Sequence, residues 1–239
     1  MMIDRRPRLR TGGPAPGPPG PPSLSGPWLA AGAAAVVVGS LVVAHLVDAT
    51  AGRVLHDRML PWIVGRGLGV AAYLALTALA GLGLWFRHPW RRGSRALLRP
   101  ASVLRAHAAL AAATAVLVAG HVVALALDAY AHVGWAGAFV PGLSRYRPAA
   151  VALGTVALEL GLLVGASAAL AGRLVGRHWL AVHRLAVVAF ACAWLHGIEA
   201  GSDVASLRWL YLSSGVLVTT LAVSRATARR AERRLENAS

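Results

Sequence analysis

Six long apolar runs, separated by short arginine-bearing segments, set the strongest limit on what this chain of 239 residues can fold into. Each run is close to the ~20 residues that an α-helix needs to cross about 30 Å of hydrocarbon. The composition agrees, because 57% of the residues are hydrophobic and only 14% are charged. We therefore predict an all-α membrane protein, a bundle of six transmembrane helices. The runs cover about residues 28–47, 64–86, 101–127, 148–171, 179–198 and 207–223.

The segments outside this bundle are polar. Residues 1–27 are basic and rich in Pro and Gly, which predicts a disordered N-terminal tail. Residues 28–224 form the transmembrane domain, and residues 225–239 form a basic cytoplasmic tail. A cleaved signal peptide is the alternative for the first run, but its apolar stretch exceeds the usual signal core of about 7–15 residues.

The arginines predict the orientation. With the N-terminus inside, sixteen arginines lie in the inner segments and four in the outer segments, so the positive-inside rule places both termini in the cytoplasm. The net charge of +15 is spread over short clusters between apolar runs, which favours a plasma-membrane protein over one that binds nucleic acid. The single cysteine, Cys192, excludes a disulfide framework and a cysteine-ligated iron–sulfur cluster within the chain.

Four histidines lie inside two of the runs, where ionisable residues are costly and usually functional. His107 and His121 belong to the third run, and His183 and His196 to the fifth, which crosses the membrane in the same direction. The first pair is 14 residues apart and the second 13, a rise of about 21 Å and 19.5 Å. Each run thus carries one histidine near the inner face and one near the outer face, at matching heights.

The direction in which these histidines face differs between the two runs. At about 100° per residue, positions 14 apart differ by about 40°, so His107 and His121 share a helix face. Positions 13 apart differ by about 140°, so a straight fifth helix would point His183 and His196 apart. That helix is expected to carry a local 3₁₀ or π distortion, or different rotamers at its two ends.

Two flat macrocycles stacked along the membrane normal would explain the matched heights, because haem iron accepts two axial imidazoles. One zinc ion is disfavoured, since ligands about 20 Å apart on one helix cannot share a metal. The alternative is a membrane scaffold or transporter subunit without haem, in which the histidines are structural.

The spacings H-x13-H in the third run and H-x12-H in the fifth resemble those of the ferric reductase-like transmembrane domain. The segments WLHGIEAG around His196, HVVALALDAY from His121 and SRYRP at 144–148 are similar to bacterial members. That family includes the NADPH oxidases, the ferric-chelate reductases and the haem subunit of periplasmic methionine-sulfoxide reductase. The resemblance covers roughly residues 28–224, and the off-angle pair in the fifth helix is itself a family feature.

The resemblance implies two b-type haems and transfer of electrons from the inner to the outer side. The inner haem would be held by His107 and His183, and the outer haem by His121 and His196. The acceptor would be a ferric chelate, oxygen or an extracytoplasmic redox partner. Quinol- or ascorbate-linked b-type cytochromes are a further alternative, with a different assignment of helices.

Two departures from the family pattern limit the activity. No glycine-rich nucleotide fingerprint occurs, so we expect no FAD or NADP site within this chain and a separate flavoprotein or a quinol as the electron donor. Leu125 stands where the oxidases carry another histidine, which argues against dedicated superoxide production. The chain would then be an oxidoreductase or the membrane subunit of one.

Several charged residues are candidates for contacts to the haems. Arg105 and Arg184, beside the inner histidines, could meet haem propionates. Arg66 resembles the arginine that lines the outer oxygen site of the oxidases, and Arg147, with Arg145, is a further outer candidate for a propionate or an acceptor. Alternatively, these side chains simply reach to the membrane interface. Glu159, midway along the fourth run, could pair with an arginine, bind protons or stay protonated.

The arginine asymmetry predicts opposite locations for two reporter fusions. A reporter fused after Ser239 should be cytoplasmic, whereas one inserted within residues 49–60 should be extracytoplasmic. Alkaline phosphatase and green fluorescent protein fusions give the measurement, and the same location at both sites would contradict the topology.

Overall fold

A computed structural model describes residues 59–86, 88, 100–171 and 179–237. All the regular elements in these ranges are α-helices. In chain order they are α1 (Leu60–Phe86), α2 (Pro100–Ala126), α3 (Gly134–Phe139), α4 (Pro148–Ala169), α5 (Trp179–His183), α6 (Ala186–Ala200) and α7 (Val204–Glu236).

Five helical spans are long and apolar enough to cross a membrane: α1, α2, α4, α5 with α6, and α7. They confirm five of the predicted runs and an all-helical, multi-pass membrane protein. The first run, residues 28–47, and the tail of residues 1–27 lie outside the described residues.

The last helix differs most from the expectation. It was predicted to end near residue 223, but α7 continues to Glu236 through most of the segment assigned as a basic tail. This segment contains neither Gly nor Pro after Gly215 and is rich in Ala, Arg, Leu and Glu, which are good helix formers. At 33 residues, α7 is about 50 Å long and exceeds the ~30 Å hydrocarbon core.

The helices pack against one another in neighbouring pairs. Helix α1 lies along α2, and α4 lies along α5 and α6, while α1 also contacts α6 and α7. One apolar cluster, built around Trp62, Ala126 and Val133, joins α1, the end of α2 and the loop before α4. We call this end of the bundle the outer end, because the sequence predicts it to be extracytoplasmic.

A second cluster fills the middle of the bundle. Tyr73 of α1 packs against Phe190 of α6 and Tyr211 of α7, with ring centroids 6.1 and 5.1 Å apart. The Tyr73 hydroxyl is hydrogen-bonded to the buried Ser214 hydroxyl, and the Trp194 indole donates to the Tyr211 carbonyl over 2.9 Å. These bonds satisfy polar groups that would otherwise be costly within the membrane.

The inner end of the bundle is tied together by a histidine outside the two predicted pairs. His88, just after α1, is buried, and its Nε2 lies 3.1 Å from the Ser224 hydroxyl of α7. This contact fixes the end of α1 against the last turns of the membrane-spanning part of α7.

The fifth of the six predicted runs, which we call the fifth span, is interrupted between α5 and α6, so it carries the local distortion that was one of the two expected explanations of the off-angle histidines. The Leu185 amide bonds to the Val182 carbonyl at 2.9 Å, and the Val187 amide to the Arg184 carbonyl at 3.2 Å. Both bonds join residues three apart, the 3₁₀ pattern of about 120° per residue. Over the thirteen residues from His183 to His196, a regular helix rotates about 140° less than four full turns, so the two side chains would not share a face. Each residue wound at about 120° instead of 100° reduces this difference by about 20°.

Candidate functional site

The four predicted histidines meet as two pairs between α2 and the fifth span. The rings of His107 and His183 have centroids 6.2 Å apart, and those of His121 and His196 are 6.3 Å apart. The pairing by height expected from the sequence is therefore the pairing found in the structure.

Each pair has the separation that one metal ion between two imidazoles would need. Bonds from a metal to an imidazole nitrogen are about 2.0–2.1 Å long, so two imidazoles on opposite sides of one metal hold their centroids roughly 6–6.5 Å apart. Within the described ranges, no three His, Cys, Asp or Glu side chains come together as a possible metal site. A haem iron at either pair would take its other ligands from the porphyrin.

The outer pair is oriented by hydrogen bonds to helix backbones. The Nδ1 of His121 donates to the Gly65 carbonyl over 2.6 Å, and the Nδ1 of His196 donates to the Ala150 carbonyl over 2.8 Å. A proton on Nδ1 leaves the Nε2 lone pair of each ring available for a ligand, the arrangement that holds metal-binding histidines in one tautomer.

Glycines make these bonds possible. A Cβ at Gly69 would lie 2.8 Å from Nδ1 of His121, and one at Gly154 would lie 2.7 Å from Nδ1 of His196. Each glycine lies four residues after the accepting carbonyl. A side chain at that position would tilt toward the N-terminus of the helix and cover the carbonyl, and glycine has none. The ring can then reach a backbone oxygen inside the partner helix.

The inner pair shows the same close approach on α1. A Cβ at Gly83 would lie 3.0 Å from Cε1 of His107. Gly69 and Gly83 are 14 residues apart, like the two histidines of α2 that they face. This repeat was missed in the sequence, although the equal spacing in neighbouring apolar runs is a signal that could have revealed it.

The inner pair has an aromatic neighbour. The Trp179 ring packs edge to face against His183, with centroids 5.5 Å apart. The buried Nδ1 of His107 has no hydrogen-bond partner among the described residues.

A cavity of about 210 Å³ lies at the outer end, against the outer histidine pair. His121 and His196 belong to its lining, together with Trp62, Tyr73 and Tyr146. Leu125, at the position where the oxidases carry a histidine, also lines it and packs so close to α1 that a Cβ at Gly65 would lie 2.7 Å from its side chain.

Of the predicted arginines, Arg66 is the one that lines this cavity, and it forms an ion pair with Asp203, which the sequence had not singled out. Arg147 is exposed and donates to the Glu199 carbonyl over 2.6 Å, so it caps the C-terminal end of α6. Arg145 is exposed nearby.

The inner arginines and the acidic residue of α4 lie on the surface of the described bundle. Arg105 is exposed and 3.3 Å from the Ser102 hydroxyl, and Arg184 is exposed in the turn between α5 and α6. Glu159 is exposed on α4, nearly opposite Gly154 around the helix and so directed away from His196.

Comparisons of the chain with protein-family models, with curated protein sequences and with solved structures gave no match. The resemblance to the ferric reductase-like domain therefore rests on the residues themselves and stays a prediction.

The glycine contacts predict that two neighbouring Gly→Ala changes in α1 differ sharply. Gly69→Ala places a methyl group against the His121 ring and should destabilise the protein by about 1–3 kcal/mol, the usual cost of overpacking. Gly67→Ala meets no atom within 4 Å and serves as the matched control. Thermal unfolding in detergent measures both, and equal melting temperatures would contradict the close contact at His121.

Proposed function

We propose that this protein carries electrons across the membrane through two b-type haems, one at each histidine pair. His107 and His183 would hold the inner haem, and His121 and His196 the outer haem. The observation that carries the proposal is the pair of ring separations, 6.2 and 6.3 Å, at two matched heights between α2 and the fifth span.

The heights of the two pairs suit a path across the bilayer. The histidines of α2 are separated by about 21 Å along the helix, which is most of the ~30 Å hydrocarbon core. A bound haem would supply an iron that changes its oxidation state by one electron at each position.

The protein's own residues orient the ligands and shape the space. Carbonyls of α1 and α4 fix the outer rings, and the glycines beside three of the four histidines bring the helix backbones close. Apolar side chains such as Leu125 and Val118 line the cavity beside the outer pair. The overwound turn at Arg184 and Leu185 rotates His183 toward the side that His196 faces.

Electrons would come from a separate cytoplasmic flavoprotein or a quinol, and would leave to an extracytoplasmic acceptor. Five of the described helical spans are long and apolar enough to cross a membrane, and the sequence carries no glycine-rich nucleotide fingerprint. The chain would act as an oxidoreductase together with its donor, or as the membrane subunit of one.

The first test is the haem content. Purified protein should give a reduced-minus-oxidised spectrum of b-type haem, and the pyridine haemochrome assay should give two haems per chain, one for each facing pair. A preparation from haem-sufficient cells with no such signal would favour the scaffold with structural histidines instead, and a ratio of one would reject one of the sites.

The second test separates the two sites. His121→Ala and His196→Ala should each remove the outer haem or change its spectrum, and the double variant should lose little more, because both changes act on one iron. The inner haem should remain reducible in all three variants.

His132→Asn is the control for these variants, because His132 is exposed in the loop after α2. Its haem content should equal that of the wild type. Retention of both haems with unchanged spectra in His196→Ala would show that the pairing on the fifth span is wrong.

A further inference from the structure

Two charged side chains face each other at the outer cavity. Apart from the histidines, Arg66 and Asp203 are the charged residues among the described residues that line it. Arg66 belongs to α1, three residues before Gly69, and Asp203 stands at the N-cap of α7. Their ion pair thus connects two helices across the cavity, and both side chains keep contact with solvent, with exposures of 33% and 46%.

Several features hold this ion pair in place. Asp203 makes no side-chain hydrogen bond to the first turn of α7, so its carboxylate is committed to Arg66 rather than to capping. The partial positive charge at the N-terminus of α7 also favours a carboxylate there. The Arg66 guanidinium also lies 5.9 Å from the centroid of the Trp62 ring, which lines the same cavity.

The charges of the pair cancel, and this decides what the cavity attracts. A lone Arg66 would concentrate anions at the mouth, as positively charged clefts do. With Asp203 bound, the mouth has no net charge from these two residues. The remaining walls are mainly apolar, so a charged molecule entering would lose hydration without gaining a counter-charge.

We propose that Asp203 determines acceptor specificity by neutralising Arg66, so that the outer site passes electrons to a small uncharged acceptor rather than to an anionic metal chelate. This inference rests on the proposed function, because it requires an electron at the outer histidine pair. The acceptor would take up one electron per transfer step, and a quinone-type acceptor would take two electrons and two protons from the outer aqueous phase.

The experiment measures reoxidation of dithionite-reduced protein in detergent by three oxidants of different charge. Ferricyanide is anionic, hexaammineruthenium(III) is cationic, and duroquinone is uncharged. For each oxidant, the rate of a variant is divided by the rate of the wild type, which removes differences in driving force between the oxidants.

Asp203→Asn should raise the ferricyanide rate about tenfold at low ionic strength, lower the hexaammineruthenium rate and leave the duroquinone rate unchanged. Arg66→Gln should give the reverse pattern for the two ions. The rates of the double variant should return toward those of the wild type. About 0.5 M salt should remove the rate differences between the variants and the wild type.

Glu199→Gln is the matched control, because it removes the same charge from an exposed position four residues before Asp203 that does not line the cavity. Asp203→Glu and Arg66→Lys keep the charges and should retain the wild-type pattern, which guards against a folding defect. If Asp203→Asn behaves like Glu199→Gln with all three oxidants, the specificity proposal is wrong.

Two further readouts separate this inference from the proposed function. In haem-depleted protein, Arg66→Gln and Asp203→Asn should each lower the melting temperature. The double variant should lower it by less than the sum of the two single decreases. Additive effects would show that the ion pair is absent. A wild-type protein that never binds haem would instead overturn the proposed function, whereas normal haem content with no charge selectivity overturns only the role of Asp203.

Discussion

Close approach of helix backbones is the constraint on which the rest of this bundle depends. Lipid tails are as apolar as leucine, so helices in a membrane gain little by hiding apolar side chains from lipid and associate through tight packing and internal hydrogen bonds. Several of the tight contacts occur where a glycine faces a histidine ring: Gly69 and Gly83 against α2, and Gly154 against α6. The same contacts that hold the helices together therefore orient the candidate ligands.

The sequence predicted the helical spans well, because the thickness of the bilayer sets their length and excludes charge from their centres. It also predicted the height of each histidine, since the rise per residue of a helix is fixed. The predicted pairs, His107 with His183 and His121 with His196, are brought together in the structure. Periodicity predicted either a local distortion or different rotamers in the fifth run, and the structure has an irregular turn before α6.

Contacts between helices were harder to foresee, because they depend on which faces meet. Arg66 and Asp203 are 137 positions apart, and no local pattern links them. Arg147 was a candidate for a propionate or an acceptor, and the structure adds a contact that the sequence did not suggest, from its guanidinium to the end of α6. The extension of α7 was missed because a run of arginines was interpreted only as charge, although its residues also favour a helix.

The turn at Arg184 and Leu185 affects how substitutions can alter this span. His183 sits on the five-residue α5 and His196 on the separate α6, so the two rings are not fixed to one rigid rod. A substitution near the turn can change the direction in which one imidazole points around the helix axis, while the other imidazole keeps its contacts. One membrane crossing thus carries two candidate ligand positions on separate helical segments, and each position can be adjusted without the other.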